Sequence, residues 1–194
     1  MTAFSAAALV VIALGFGLLP SGAQAGTRVG DYTAYVAPAQ VCVGAGAVSA
    51  SVASEQRAMS CVVNWARVKR GLKPLRSNAE LVFAGKLKLS DSVRCNAFSH
   101  TPCGTQFLSV FERSGYVASS VPLWTVGENL AWGQGVTGSP RATIVAWLNS
   151  PHHRANLFSA TWTDMGIAYQ APATFLGHEG VTLWANEFGT HATG

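Results

Sequence analysis

The chain has 194 residues, room for one domain at the usual roughly 100–200 residues per domain. Apolar residues make up 49% and charged residues only 11%, which excludes a disordered or collagen-like chain. The net charge is +4, and nine of the thirteen cations lie between Arg57 and Arg94, five of them (Arg67, Lys69, Arg70, Lys73, Arg76) within ten residues. No nucleic-acid motif accompanies this cluster. It reads as a solvated helix end, with contact to an anionic wall polymer or lipid surface as the functional alternative.

Residues 1–25 read as an export leader. An apolar stretch over 6–19 is followed by Pro20 and then Ala23-Gln24-Ala25, an A-x-A pattern that predicts cleavage after Ala25. The first five residues, MTAFS, carry no Lys or Arg, which leaves an uncleaved anchor as the alternative. No second run reaches bilayer length, so the mature chain is expected to lack a transmembrane span. Cys42, Cys61, Cys95 and Cys103 fit an oxidising compartment. Of the three possible connectivities, local pairing as Cys42–Cys61 and Cys95–Cys103 is the simplest. Neither close pair has the spacing of a zinc site.

Residues 26–50 form an irregular arm tied down by Cys42, and the domain proper spans 51–194. A first helix follows Ser51, with Met59, Val62 and Ala66 at helical spacing and Gly71 and Pro74 as its stop. Asn78 caps a second, whose expected buried face is Val82, Gly85, Leu89, Val93 and Ala97. Residues 104–114, with Phe107, Val110 and Phe111, give a short third helix ending before Gly115. Ser139-Pro140 opens a fourth with Ile144, Trp147 and Leu148 inward. Strands are expected over 125–132, 165–169 and 181–188. Helices mostly precede strands, which indicates an α+β fold with helices layered on an antiparallel sheet. Trp65, Trp147, Trp132 and Trp184 read as core; Trp124 and Trp162 are candidates to rim a groove.

Three segments carry chemistry: Phe98-Ser99-His100, Gly127-Glu128-Asn129-Leu130-Ala131, and Asn149-Ser150-Pro151-His152-His153-Arg154-Ala155-Asn156-Leu157. With Asn64, Gly71-Leu72-Lys73-Pro74-Leu75, Ser114-Gly115-Tyr116, Thr163-Asp164-Met165-Gly166-Ile167-Ala168 and Trp184-Ala185-Asn186-Glu187-Phe188-Gly189, they run in order over about residues 56–189. In this the chain resembles the CAP superfamily (cysteine-rich secretory, antigen 5 and pathogenesis-related-1 proteins) in its small secreted bacterial form.

The resemblance implies a three-layer α-β-α sandwich with a cleft lined by histidines and acidic residues, which in several members bind zinc or another divalent ion. It assigns His100, Glu128 and His153 as metal ligands, with Ser150 and Asn129 beside them in the binding cleft. His152 stands where the family usually has glycine. Ser150 stands three residues after Trp147, where eukaryotic members have a second glutamate.

Two imidazoles and one carboxylate could hold zinc with an open position for water. Without metal, His100 and Glu128 would form a charged pair. Arg154 and Asn156 read as structural, holding the turn after Ser150 through backbone carbonyls. No G-x-S-x-G elbow supports a serine hydrolase, and oxidised cysteines offer no nucleophile.

Three functions remain open. The first is a secreted, monomeric protein that binds a sterol, lipid or cell-wall component in its cleft. The second is a metal-assisted hydrolase of peptide or wall substrates using Glu128 and His100. The third is an extracellular module that binds a protein partner without catalysis.

Overall fold

The computed structural model describes residues 9–10, 32–49, 51–118 and 123–191. The leader reading therefore falls outside the described residues, apart from Leu9 and Val10. Helix α1 (Val52–Lys69) starts at Ser51, whose hydroxyl accepts the Ser54 amide. It ends where Gly71 turns the chain at φ +80°, a conformation that favours glycine. The strand β1 (Leu9–Val10) precedes it in the chain. After the turn the chain touches the sheet as strand β2 (Arg76–Ser77) and enters α2 (Ala79–Arg94) through the expected Asn78 cap.

The buried face of α2 differs from the expected one. It comprises Leu81, Ala84, Gly85, Lys88, Leu89, Asp91 and Ser92, and Ala97 lies beyond the helix end. Apolar spacing misses this stripe because three of its seven members are polar or charged. Small residues let α2 sit close to the sheet: a Cβ at Gly85 would lie 2.8 Å from the Ala168 Cβ, and one at Gly166 would collide with the backbone of Leu81 and Val82.

The third helix is shorter than expected. Residues Pro102–Gly104 form a 3-10 turn with Cys103 at φ +60°, so α3 covers only Ser109–Ser114 and ends at Gly115, φ +88°. Helix α4 (Pro140–Asn149) has its Ser139 cap as expected. After it, in place of the expected turn, lies a fifth helix, α5 (Pro151–Leu157). Ser150 is extended, which separates the two, and Pro151 suits the first helical position.

Three long strands, β3 (Trp124–Gln134), β4 (Asp164–Phe175) and β5 (His178–His191), form the antiparallel centre. With β1 and β2 pairing parallel at the flanks, the order is β1-β3-β5-β4-β2. The strands outrun the sequence reading. Pro172 does not end β4 because it falls in a register shift between Gln170 and Ala173, one of the few places a sheet tolerates proline.

Side chains alternate across the sheet. One face meets α1, α4 and α5 over Met59, Ile144, Trp147, Trp184 and Phe188. The other meets α2 and α3 over Leu81, Phe111, Val126, Leu130 and Ala185. The fold is thus the expected α-β-α sandwich.

Both local disulfides are present, with Cα separations of 5.6 Å for Cys42–Cys61 and 5.4 Å for Cys95–Cys103. The arm is more than tethered. Ala37, Cys42 and Ala45 are buried in the core, and the Tyr169 hydroxyl donates to the Ser49 carbonyl. Among the described residues, no helix is long and apolar enough to cross a membrane.

Candidate functional site

Gly127 explains how the GEN segment is seated: a Cβ there would lie 2.9 Å from the Trp162 ring, so only glycine lets β3 approach that indole. The next residue, Glu128, points to the α2 side and is 1% exposed. His100 follows α2 in the loop closed by Cys95–Cys103. Its Nδ1 lies 2.5 Å from Glu128 Oε1, the pair anticipated from sequence.

Two further residues complete this cluster, and sequence reasoning assigns neither a role. Lys88, 1% exposed, places Nζ 3.3 Å from Glu128 Oε2 and donates to the His100 carbonyl. Glu187 is fully buried and stands directly opposite Glu128 in the β3–β5 register. Two like charges facing each other across strands would repel, and burial makes that worse. Burial, then the Glu128 charge, raise the Glu187 carboxyl well above its ordinary value. Its environment thus favours the neutral carboxyl beside the Glu128 carboxylate.

Burial alone would raise Glu128 too. The Lys88 charge and the hydrogen bond and charge of His100 outweigh it and hold Glu128 below the usual carboxylate range. The sequence carries only a faint trace of each, a lysine among the small and apolar residues of α2 and an acidic residue in an otherwise apolar strand, with nothing to show that both meet Glu128.

Asn129 faces the other side of the sheet, as the neighbour of Glu128 in a strand must. It is fully buried and donates from Nδ2 to the His153 carbonyl (3.0 Å), while Oδ1 accepts from Asn156 Nδ2 (3.1 Å). Asn156 also donates to the Glu128 carbonyl (3.0 Å), and Arg154 donates to the Leu148 carbonyl (2.6 Å). Both thus make the backbone contacts anticipated for them. The backbone of His153 is therefore tied to the α5 side, opposite the Glu128 carboxylate. Burial, then the positive charges of His100 and His152, push its pKa down to about 4, so it is neutral at neutral pH. Ser150 caps the junction of α4 and α5 through its backbone.

The structure thus joins His100 to Glu128, and adds Lys88 and Glu187. Among the described residues, no group of three or more His, Cys, Asp or Glu side chains is placed to hold a metal ion. The chemistry agrees: Glu128 has one oxygen on His100 and the other facing an ammonium, which competes with any divalent cation for the same charge. The arrangement does not fit the metal implied by the resemblance.

Two cavities open away from this cluster. A groove of about 730 Å³ runs between α1 and the β2–β4 edge of the sheet, lined by Ala53, Gln56, Trp65, Val68, Val82 and Ile167 among others. Trp65, expected in the core, stands on this wall half-buried, with Lys69 Nζ 4.8 Å from its ring centroid. Gln56 Nε2 donates to the Ile167 carbonyl (2.6 Å) and satisfies the open sheet edge there. Trp162, expected at a groove rim, is 3% exposed, stacks on Phe188 and edges a second, separate pocket.

Residues 62–174, more than half of the chain, match the family model for the cysteine-rich secretory protein family, CAP. The chain is 30% identical over 138 residues to an uncharacterized protein, YkwD, of Bacillus subtilis (strain 168), an alignment covering 71% of this chain but 48% of that protein. This chain thus spans about half the length of that relative. Among solved structures, the fold is similar to an outer surface protein of Borrelia burgdorferi, with TM-score 0.60 and 19% identity, covering 75% of this chain and 98% of that one. It is also similar to an extracellular SCP-domain protein of Bacillus anthracis, with TM-score 0.54 and 21% identity, covering 71% and 40%.

Proposed function

The chain belongs to the cysteine-rich secretory protein family, CAP, and on that footing we propose that it is an exported binding protein that takes the apolar part of a lipid, sterol or other envelope-derived molecule. The observation that carries this reading is the open groove along α1. Its volume of about 730 Å³ falls within the roughly 300–1,000 Å³ of ligand clefts. Val68 is an exposed apolar residue on its wall, and Trp65 offers an aromatic face beside it. Export is supported by the leader-like first 25 residues and by two disulfides.

Hydrolysis is the weaker reading. A general base must come within hydrogen-bond reach of the proton it takes, and Glu128 is enclosed with both oxygens facing other groups. The test is equilibrium binding of a fluorescent fatty acid and of a fluorescent sterol to delipidated protein, compared with Val68→Asp. That substitution puts a charge on an exposed helix position and leaves the core alone. The groove reading predicts saturable binding weakened at least about tenfold in the variant, roughly 1.4 kcal/mol. Equal binding by both proteins, or none by either, would overturn it.

A further inference from the structure

The basic cluster seen in the sequence does not simply project into solvent. Arg67 turns inward from the last turn of α1 and is 1% exposed. Its Nε donates to the Lys73 carbonyl (3.2 Å), and its Nη1 to the carbonyls of Leu157 (2.8 Å) and Ser159 (2.9 Å). No carboxylate pairs with it among the described residues, and Nη2 has no hydrogen-bond partner among them. A buried cation normally has a counter-charge. Here only carbonyl dipoles face it, and desolvation pulls its pKa down to about 10.

The position is enforced by its surroundings. Asn64 clamps the loop after α1 with two bonds to Leu75, Nδ2 to the carbonyl (3.0 Å) and Oδ1 from the amide (2.8 Å). Gly71 supplies the left-handed turn that folds Leu72 and Lys73 back over the guanidinium.

Arg67 lines a pocket of about 570 Å³ with Lys73, Arg76, Thr163, Leu72 and Trp162. Arg76 is partly committed, with Nε 3.1 Å from Asp164 Oδ1. The Thr163 hydroxyl donates to Asp164 Oδ2 (2.7 Å). Lys73 is exposed and makes no ion pair among the described residues.

The geometry points to an oxyanion-binding site in this pocket, built for a phosphate-class group with Arg67 and Lys73 as its donors. Guanidinium is the side chain best matched to phosphate oxygens, and one of its nitrogens is left for a ligand. The Leu72 and Trp162 walls would hold a small organic body attached to the anion. This pocket shares no lining residue with the apolar groove and does not depend on it.

Calorimetric titration of the full chain with inorganic phosphate and with glycerol phosphate tests the site, against Lys73→Ala and Arg67→Lys. Vesicles of phosphatidylglycerol against phosphatidylcholine form the second arm. Saturable phosphate binding, weakened about tenfold or more in Lys73→Ala, supports the site and names a soluble phosphate ester as its source. Binding confined to phosphatidylglycerol vesicles and lost in Lys73→Ala supports it with a lipid headgroup as the source. No saturable binding in either arm, or binding unchanged by Lys73→Ala, overturns it. Lys73 is exposed, so its variant keeps the test valid even if Arg67→Lys fails to fold.

Discussion

Lys88 and Arg67 are each 1% exposed, yet the protein accommodates the two charges by different means. Lys88 faces Glu128 at 3.3 Å, within a cluster that also contains His100 and Glu187, whose carboxyl is raised well above its ordinary value. Arg67 faces three carbonyls and no acid among the described residues. The first site balances its charge internally and has little use for an outside ion. The second carries positive charge beside open space. A buried cation therefore marks a ligand site only where its compensation is incomplete, which a count of charges does not reveal.

The largest effect should come from removing the better compensated cation. Lys88→Met leaves Glu128 buried beside Glu187 without its ammonium, and a loss of about 3–5 kcal/mol in urea unfolding is expected. Adding Glu128→Gln should recover part of it, because the two residues form one unit. Losses that simply add would break the comparison. Arg67→Met should cost less, about 2–3 kcal/mol from orphaned carbonyls, since those beside the pocket can regain water. Among the described residues it has no acidic neighbour whose neutralisation would rescue it.

His153 gives the next effect. Its folded pKa of about 4 lies below the ordinary 6.5, so below pH 6.5 the unfolded chain takes up a proton that the folded one refuses. Stability should fall as pH drops from 6.5 to 4, by about 1–3 kcal/mol. His153→Gln should flatten that limb in a thermal scan series. An unchanged limb would assign the acid sensitivity to other groups.

Glu187 acts in the opposite sense. Its raised folded pKa means the folded state holds a proton that the unfolded state releases above about pH 4.5. Its contribution therefore declines as pH rises toward the folded pKa. Glu187→Gln keeps a donor toward Glu128 with no proton to lose. A gain at pH 8 that vanishes near pH 4 is expected from paired unfolding curves. A loss at pH 8 would mean that Glu187 is ionised in the folded protein.

Much of this molecule is legible in its sequence, and the exceptions have physical causes. Caps at Ser51, Asn78 and Ser139 are local chemistry, so the starts of α1, α2 and α4 can be read directly. The His100–Glu128 pair and both disulfides follow from motif and spacing. Apolar periodicity fails on α2 because Lys88 occupies a core position that only a distant strand, β3, makes tolerable. Glu187 is hidden for the same reason, since its partner Glu128 lies far away in the chain and meets it only across the sheet. The motifs group His153 with His100 and Glu128; Asn129 holds the His153 backbone on the α5 side, while the His100 charge still reaches the His153 imidazole. Helix α5 reads as a turn because Ser150 interrupts what is otherwise helical sequence.

The central claim is that the His100–Glu128 cluster is closed by Lys88. The most direct test is calorimetric titration of zinc into metal-stripped protein, with His100→Ala as the control. The account predicts no stoichiometric uptake that depends on His100. One equivalent bound by the unaltered protein and lost in His100→Ala would contradict it, and would show that Lys88 gives way to a metal.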